Sequence, residues 1–425
     1  MRQSIPKNPS LELSELNQGD PQYATTVVER ILSSARQSDA GDVHLQPSAD
    51  GLELYFRIDG VLRRMAVFPA ESAPGIVSRL KVISGLLTYH TDRPQEGRIQ
   101  QAECDVEMRV STFPTLHGER AVVRLFGGGG RFQRIDDLGL HDDLRAPVQR
   151  LLEETSGAVI VSGPAGSGKT TTVYAALREL AGRDQTPRSI VSLEDPVEVA
   201  VPGVAQSQVN PVVDLDLATG LRFLMRQDPE VIMVGEIRDS ATAEAAMQAS
   251  LTGHLLLSTF HAGSSTETIG RLLDMGIEPY VLRSGLLAVL NQRLLRRLCN
   301  CAKAAGTDEE LLGLPLTKAA VPVGCETCGG SGYRGRLLIA EMLAPRRDEL
   351  RAAILDRRDT KRPQQLAEKS GMVTVWKRAL RAVEAGSTSP AEVRRVLGFS
   401  KDGSPLSDIP ASRNSESGNS EGTNV

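Results

Sequence analysis

The eight-residue stretch Gly163-Pro164-Ala165-Gly166-Ser167-Gly168-Lys169-Thr170 constrains this chain more than any other. It follows the apolar run Ala158-Val159-Ile160-Val161 and opens into Thr171-Thr172-Val173-Tyr174-Ala175-Ala176-Leu177, so it reads as strand, glycine loop and helix. Glycines let backbone N–H groups close around phosphate oxygens, and a helix starting at the loop adds a favourable field. In such a cradle, running from Gly163 to Thr171, Lys169 meets the terminal phosphates and the Thr170 hydroxyl ligates Mg²⁺. The stretch predicts a nucleoside triphosphate site.

The surroundings of the loop agree. From 135 to 297 strands and helices alternate as in a parallel-sheet α/β domain. Ser189-Ile190-Val191-Ser192-Leu193 reads as a buried strand ending at Glu194-Asp195-Pro196-Val197-Glu198, and Val231-Ile232-Met233-Val234 as another ending at Gly235-Glu236-Ile237-Arg238-Asp239. A third, Leu255-Leu256-Leu257-Ser258-Thr259, lies between His254 and His261. Carboxylates and imidazoles thus gather at strand ends, where open α/β sheets bind ligands.

At 425 residues the chain has room for two or three domains. Residues 1–22 read as a flexible lead-in. Residues 23–126 read as a smaller α+β domain: Ala24, Val27, Val28, Ile31, Leu32 and Ala35 have helical spacing, and Leu52, Leu54, Phe56 and Ile58 alternate with polar residues as on a half-buried strand. Asp59-Gly60 signals a hairpin. A second helix is expected from about 71 to 87, then strands around 105–111 and 120–126. Gly127-Gly128-Gly129-Gly130 opens a flexible linker, 127–134. After the 135–297 core, 298–345 carries four of the five cysteines and 346–399 is helical, with Ser389-Pro390-Ala391-Glu392 as a capping box. Residues 400–425 have a disordered composition.

Composition narrows the function. A formal net charge of −4 and an aromatic content of 4% argue against a nucleic-acid partner. No apolar run is long enough to span a bilayer, so a cytoplasmic location is expected, with membranes reached through partners. Cys299, Cys301, Cys325 and Cys328 have the content of a structural Zn²⁺ site, whereas Cys104 reads as a packed thiol.

Several of these stretches together resemble the ATPases of type II secretion and type IV pilus assembly. The match rests on the phosphate loop, the acidic box from Leu193 to Glu198, the stretch from Arg226 to Asp239, and the histidine box from Leu251 to His261. Upstream, Gly41-Asp42-Val43-His44-Leu45-Gln46-Pro47 and Arg57-Ile58-Asp59-Gly60-Val61-Leu62 are similar to the family's N-terminal domain. Two departures stand out. The length leaves no place for the additional N-terminal domain of larger members, and the first cysteine pair is Cys-x-Cys where metal-bearing members have two intervening residues.

The resemblance implies a RecA-like core with a PAS-like N-terminal domain, binding ATP and Mg²⁺ in a homo-oligomer, a hexamer. It also implies peripheral attachment to the cytoplasmic face of the inner membrane through a platform protein and a recruitment protein. Glu236 is the candidate to organise Mg²⁺ and the attacking water. Glu194 is the alternative, and the choice of base stays open. His261 and His254 are both expected near the γ-phosphate. The family's strand arginines, which complete a site across or between subunits, correspond to Arg109 and Arg124, with Arg120 third. Rival readings are a pilus-retraction motor, a non-hydrolysing nucleotide-gated scaffold and a nucleic-acid motor. The cysteine segment, the intact Glu194, Glu236 and Lys169, and the acidic balance count against them in turn.

Overall fold

The computed structural model describes residues 17–99, 107–126, 132–182, 187–345 and 362–399. Most of the expected lead-in, Cys104, the four-glycine linker and the expected tail lie outside them.

The N-terminal part is a six-stranded antiparallel sheet with two helices on one face. Its elements are α1 (Tyr23–Gln37), β1 (Asp42–Ser48), β2 (Gly51–Ile58), β3 (Val61–Phe68), α2 (Ala73–Ile83), β4 (Gln95–Ile99), β5 (Glu107–Thr115) and β6 (Gly118–Phe126). The sheet order is β3-β2-β1-β6-β5-β4. Val27, Val28, Ile31, Leu32 and Ala35 of α1 pack on Leu52, Leu54 and Phe56, because helical spacing puts the first set on one side and strand alternation puts the second on one face. The β2–β3 turn needs two left-handed residues, and Asp59 (φ 50°) and Gly60 (φ 82°) supply them. The second helix is shorter than expected and stops at Ile83. The edge strand β4 was not expected: Gln-Glu-Gly-Arg-Ile carries little apolar alternation, and pairing with β5 alone makes it a strand.

The core is a seven-stranded sheet of order β15-β12-β7-β11-β10-β8-β9. It contains β7 (Gly157–Ser162), β8 (Ile190–Glu194), β9 (Ala205–Gln208), β10 (Val231–Val234), β11 (Leu255–Phe260), β12 (Leu286–Leu298) and β15 (Tyr333–Leu343), with the short pair β13 (Lys303–Ala304) and β14 (Ala320–Val321) outside it. All pairings are parallel except β12–β15. Helices α3 (Asp142–Leu151) and α4 (Lys169–Ala181) cover one face. The other face is covered by α5 (Leu217–Leu224), α6 (Ser240–Leu251), α7 (Ser265–Asp274) and α8 (Pro279–Gly285). This double cover explains why β7, β10 and β11 are buried at every position rather than alternating.

The expected division after residue 297 needs revision. Strand β15, which fell in the cysteine segment, pairs with β12 over most of its length and forms the edge of the core sheet. Beyond it lie α9 (Arg362–Lys369), α10 (Val375–Glu384) and α11 (Pro390–Leu397). Ser389 caps α11, accepting the Glu392 N–H at 3.1 Å, but the Glu392 side chain does not reach back as a capping box requires. It is fully buried and accepts hydrogen bonds from Arg296 and Arg395 instead. Among the described residues no helix is long and apolar enough to cross a membrane.

Candidate functional site

The loop between β7 and α4 is built by glycine where nothing else fits. A Cβ at Gly163 (φ 150°) would lie 2.5 Å from Ser167 Oγ and 2.6 Å from the Gln292 carbonyl, and Gly168 opens α4 at φ 88°. Lys169 Nζ donates to the carbonyls of Gly163 (3.0 Å) and Pro164 (3.1 Å). Burial lowers its pKa, the carboxylate of Glu236 opposes that, and Arg293 adds to it. Thr170 is half-buried and Thr171 exposed at the start of the helix. Ser167 Oγ is buried with no hydrogen-bond partner. An orphaned hydroxyl inside a loop of this shape fits a polar ligand lying in it.

Sequence reasoning missed the floor of the loop. Strand β12 carries Asn291, Gln292 and Arg293, all buried, between the apolar stretches 286–290 and 294–295. Gln292 Nε2 donates to the Ser167 carbonyl at 2.9 Å, and Thr172 Oγ1 donates to Gln292 Oε1 at 3.1 Å. Asn291 Nδ2 reaches Ser162 Oγ (2.9 Å) and the Ala262 carbonyl (3.2 Å). Three adjacent polar residues inside an apolar run were the available signal.

The strand ends converge on this loop, but they differ. Glu194 is buried, and its carboxylate accepts from the Tyr174 hydroxyl, from Ser192 Oγ (2.6 Å) and from Gln206 Nε2 (3.1 Å). Burial, followed by the hydrogen bond to Glu194, pushes the Tyr174 pKa far up. Glu236 is more open. Its Oε1 lies 2.9 Å from His261 Nε2, and its Oε2 accepts from Arg238 Nε at 2.9 Å; Arg238 also reaches Asp195 at 3.2 Å. Burial lowers the His261 pKa, as does the charge of Lys169, while Glu236 opposes them. His254 belongs elsewhere. It precedes β11 while His261 follows it, about 20 Å away along a six-residue strand. Its Nδ1 lies 3.0 Å from the Ala249 carbonyl at the opposite end of the sheet. The expectation that both histidines approach the phosphate is therefore corrected for His254.

Across a cleft of about 2210 Å³ from the loop stands the polar face of the N-terminal sheet. Arg124 lines the cleft, with its Nε donating to Asp42 Oδ1 at 3.0 Å and most of its side chain exposed. Arg109 instead donates to the Val197 carbonyl of the acidic box at 3.2 Å. Arg120 Nη2 lies 3.2 Å from His44 Nδ1. The structure thus brings one of the three arginines to the cleft wall, one to the acidic box, and leaves the third within its own sheet.

The four cysteines come together as a group. Their sulfurs lie within 4.8 Å of one another, at 3.8 Å for Cys299–Cys325, 3.9 Å for Cys301–Cys328 and 3.7 Å for Cys325–Cys328. A tetrahedral zinc with metal–sulfur bonds of about 2.3 Å has sulfur–sulfur edges of about 3.8 Å. The donor set and spacing therefore fit Zn²⁺, and the tighter Cys-x-Cys pair does not prevent it. Burial opposes ionisation of Cys328, but the N–H groups of Cys325 and Gly332 pointing at its sulfur outweigh that and bring its pKa to about 6. Burial pushes the Cys301 thiol of the same group the opposite way, up to about 11.

A phosphate loop on a doubly covered, mostly parallel sheet, with carboxylates at the neighbouring strand ends, defines a RecA-like α/β fold. The chain belongs to the type II/IV secretion system protein family, whose model matches residues 17–395. It is similar to the type II secretion system ATPase E of Vibrio cholerae, with 41% identity over 356 residues, covering 81% of this chain and 69% of that protein. It is also similar to the type IV pilus assembly ATPase PilB of Thermus thermophilus, 37% identical over 385 residues. Here 88% of this chain is covered, and the chain spans less than half of that relative, 43% of its length. Among solved structures, the Legionella pneumophila ATPase DotB shares the fold at a TM-score of 0.67 and 18% identity, over 89% of this chain and 97% of that one.

Proposed function

We propose that this chain is an ATP-hydrolysing motor of type II secretion or type IV pilus assembly, converting hydrolysis into movement of the N-terminal sheet against the core. The observation that carries the reading is the pairing of Glu236 with His261 and Arg238 at a strand end beside the phosphate loop. Gly163 to Thr171 would hold the phosphates, Lys169 would leave its loop carbonyls for phosphate oxygens, and Thr170 would ligate Mg²⁺. The metal would supply charge neutralisation on the transferring phosphoryl group. Glu236 accepts a proton from, or orients, the attacking water, and His261 holds the Glu236 carboxylate in place. Arg124 and Arg109 supply positive charge, from this chain or from a neighbour in a hexameric ring. Cys299, Cys301, Cys325 and Cys328 hold structural Zn²⁺. In the cell the ring would work at the cytoplasmic face of the inner membrane, on a platform protein that assembles pilin-like subunits.

The test is ATP turnover per protomer against protein concentration, with Lys169→Ala as control. A rate that climbs with concentration and vanishes in the control supports sites completed by neighbours. Arg124→Ala and Arg109→Ala should each then cost about 10³-fold or more. Turnover absent at every concentration despite ATP binding favours the scaffold reading.

A further inference from the structure

The six-stranded sheet roofs the nucleotide cleft, and its two edges are tied to different parts of the core. At the β4–β5 edge, Arg98 reaches Gln208 at 3.4 Å and Arg109 reaches the Val197 carbonyl at 3.2 Å. At the β2–β3 edge the partners are the start of β15 and the cysteine hairpin, the 299–332 stretch between β12 and β15 that carries the four cysteines. Asp59, in the left-handed turn, accepts the Gly335 N–H at 2.9 Å and faces Arg336 Nε at 3.7 Å. Arg63 donates to Ser331 Oγ at 3.1 Å and to the Cys328 carbonyl at 3.5 Å. Ser331 Oγ donates to the same carbonyl at 2.7 Å, while Cys328 Sγ accepts the N–H groups of Cys325 and Gly332, each at 3.2 Å. The surface that Arg63 grips is thus the main chain around one of the four sulfurs.

That surface is a run of tight turns held by backbone bonds such as Gly330 N–H to the Cys325 carbonyl at 2.9 Å, and its glycines leave other paths open. Gly324, Gly329, Gly330 and Gly332 all have positive φ, a backbone with few conformational preferences of its own. A cross-link through four sulfurs would hold the Cys328 carbonyl and Ser331 where Arg63 meets them. We propose that the four-cysteine hairpin is a metal-set latch: with its ion bound it fixes the Asp59–Arg63 turn and so closes one edge of the cleft roof over the phosphate loop. Without the ion the Arg63 contacts go first, the neighbouring Asp59–Gly335 bond to β15 weakens with them, and the sheet swings on its ties at Arg98 and Arg109. This inference rests on the reading of the cysteines as a zinc site. It adds that the site governs the position of the N-terminal sheet.

Amide hydrogen exchange on the full chain tests it, with zinc content measured on the same samples, loaded and chelated. We expect one zinc per chain. Removing it should speed exchange of the Gly335 amide roughly tenfold, the loss of one charge-assisted hydrogen bond, and should also speed exchange in β2 and β3. The double variant Asp59→Gly, Arg63→Ala keeps the turn conformation. It should retain its zinc yet show the same acceleration at Gly335, β2 and β3, which separates latch release from collapse of the cysteine hairpin. If zinc binds and its removal speeds exchange only within 299–332, the latch is overturned while the zinc site stands. If no zinc binds, both fall.

Discussion

Two carboxylates stand at the ends of neighbouring parallel strands, Glu194 closing β8 and Glu236 just beyond β10. Glu194 is enclosed by the neutral donors Tyr174, Ser192 and Gln206, which satisfy both of its oxygens. Through Tyr174 Oη, which accepts the Glu198 N–H at 3.1 Å, and Gln206, which accepts the Val201 N–H at 2.6 Å, the same network holds the acidic box in place. Glu236 instead stands among charged or titratable groups, with Arg238 and His261 bonded to it and Lys169 near enough to feel its charge. A strand-end position is therefore only an opportunity. A carboxylate ringed by neutral donors is committed to holding structure, whereas one flanked by cations and open to the cleft can meet charge that develops during a reaction.

The contrast can be broken most decisively by Glu236→Gln. Turnover should fall about 10²- to 10⁴-fold while nucleotide binding and thermal stability hold, as loss of a general base would give. An equal fall from Glu194→Gln with unchanged stability would reverse the assignment. A smaller effect is expected from Glu194→Gln itself. Its new amide N–H₂ would stand where Tyr174, Ser192 and Gln206 now donate and would force at least one of them to turn or lose its partner, so denaturant unfolding should show a loss of about 1–3 kcal/mol, with only an indirect effect on kcat. Smallest is the effect of pH. Burial and Lys169 place the His261 pKa below its usual 6.5, so the unfolded chain binds that proton first. Its contribution to stability is present above pH 6.5 and is lost as pH falls through that value toward the folded pKa. Because the imidazole is half-exposed the slope is modest, and it should be read as the difference between the wild type and His261→Asn. The acid limb of turnover should shift in His261→Asn and stay in place in Glu194→Gln.

Much of this was legible from local pattern. The glycine loop, the three buried strands and the Asp59-Gly60 turn were readable because each is a short-range consequence of backbone sterics or of period-two and period-3.6 burial. Strand β4 was hidden because its identity comes from pairing with β5. His254 and His261 flank one apolar run, with His261 the stronger candidate from sequence, and the direction of the strand is what sets them at opposite ends of the sheet. The Ser389 cap was readable, but the Glu392 side chain left the cap for Arg296 and Arg395, since a buried carboxylate beside two guanidiniums gains more there than at a backbone amide. The cysteines were countable, while their fit to a tetrahedron depends on distances between residues far apart in the chain.

By itself, then, the sequence determined the α/β class, the place of the phosphate loop and the set of groups available for chemistry. Each of these depends on residues within a few positions of one another. Only the tertiary structure decided which carboxylate is ringed by neutral donors and which by charged groups, which of the three strand arginines lines the cleft, that Asn291, Gln292 and Arg293 support the loop, and that the β2–β3 turn rests on β15 and the cysteine hairpin. Those are contacts between segments tens to hundreds of residues apart. Their partners are chosen by packing and by the need to satisfy buried polar groups, which no local pattern encodes.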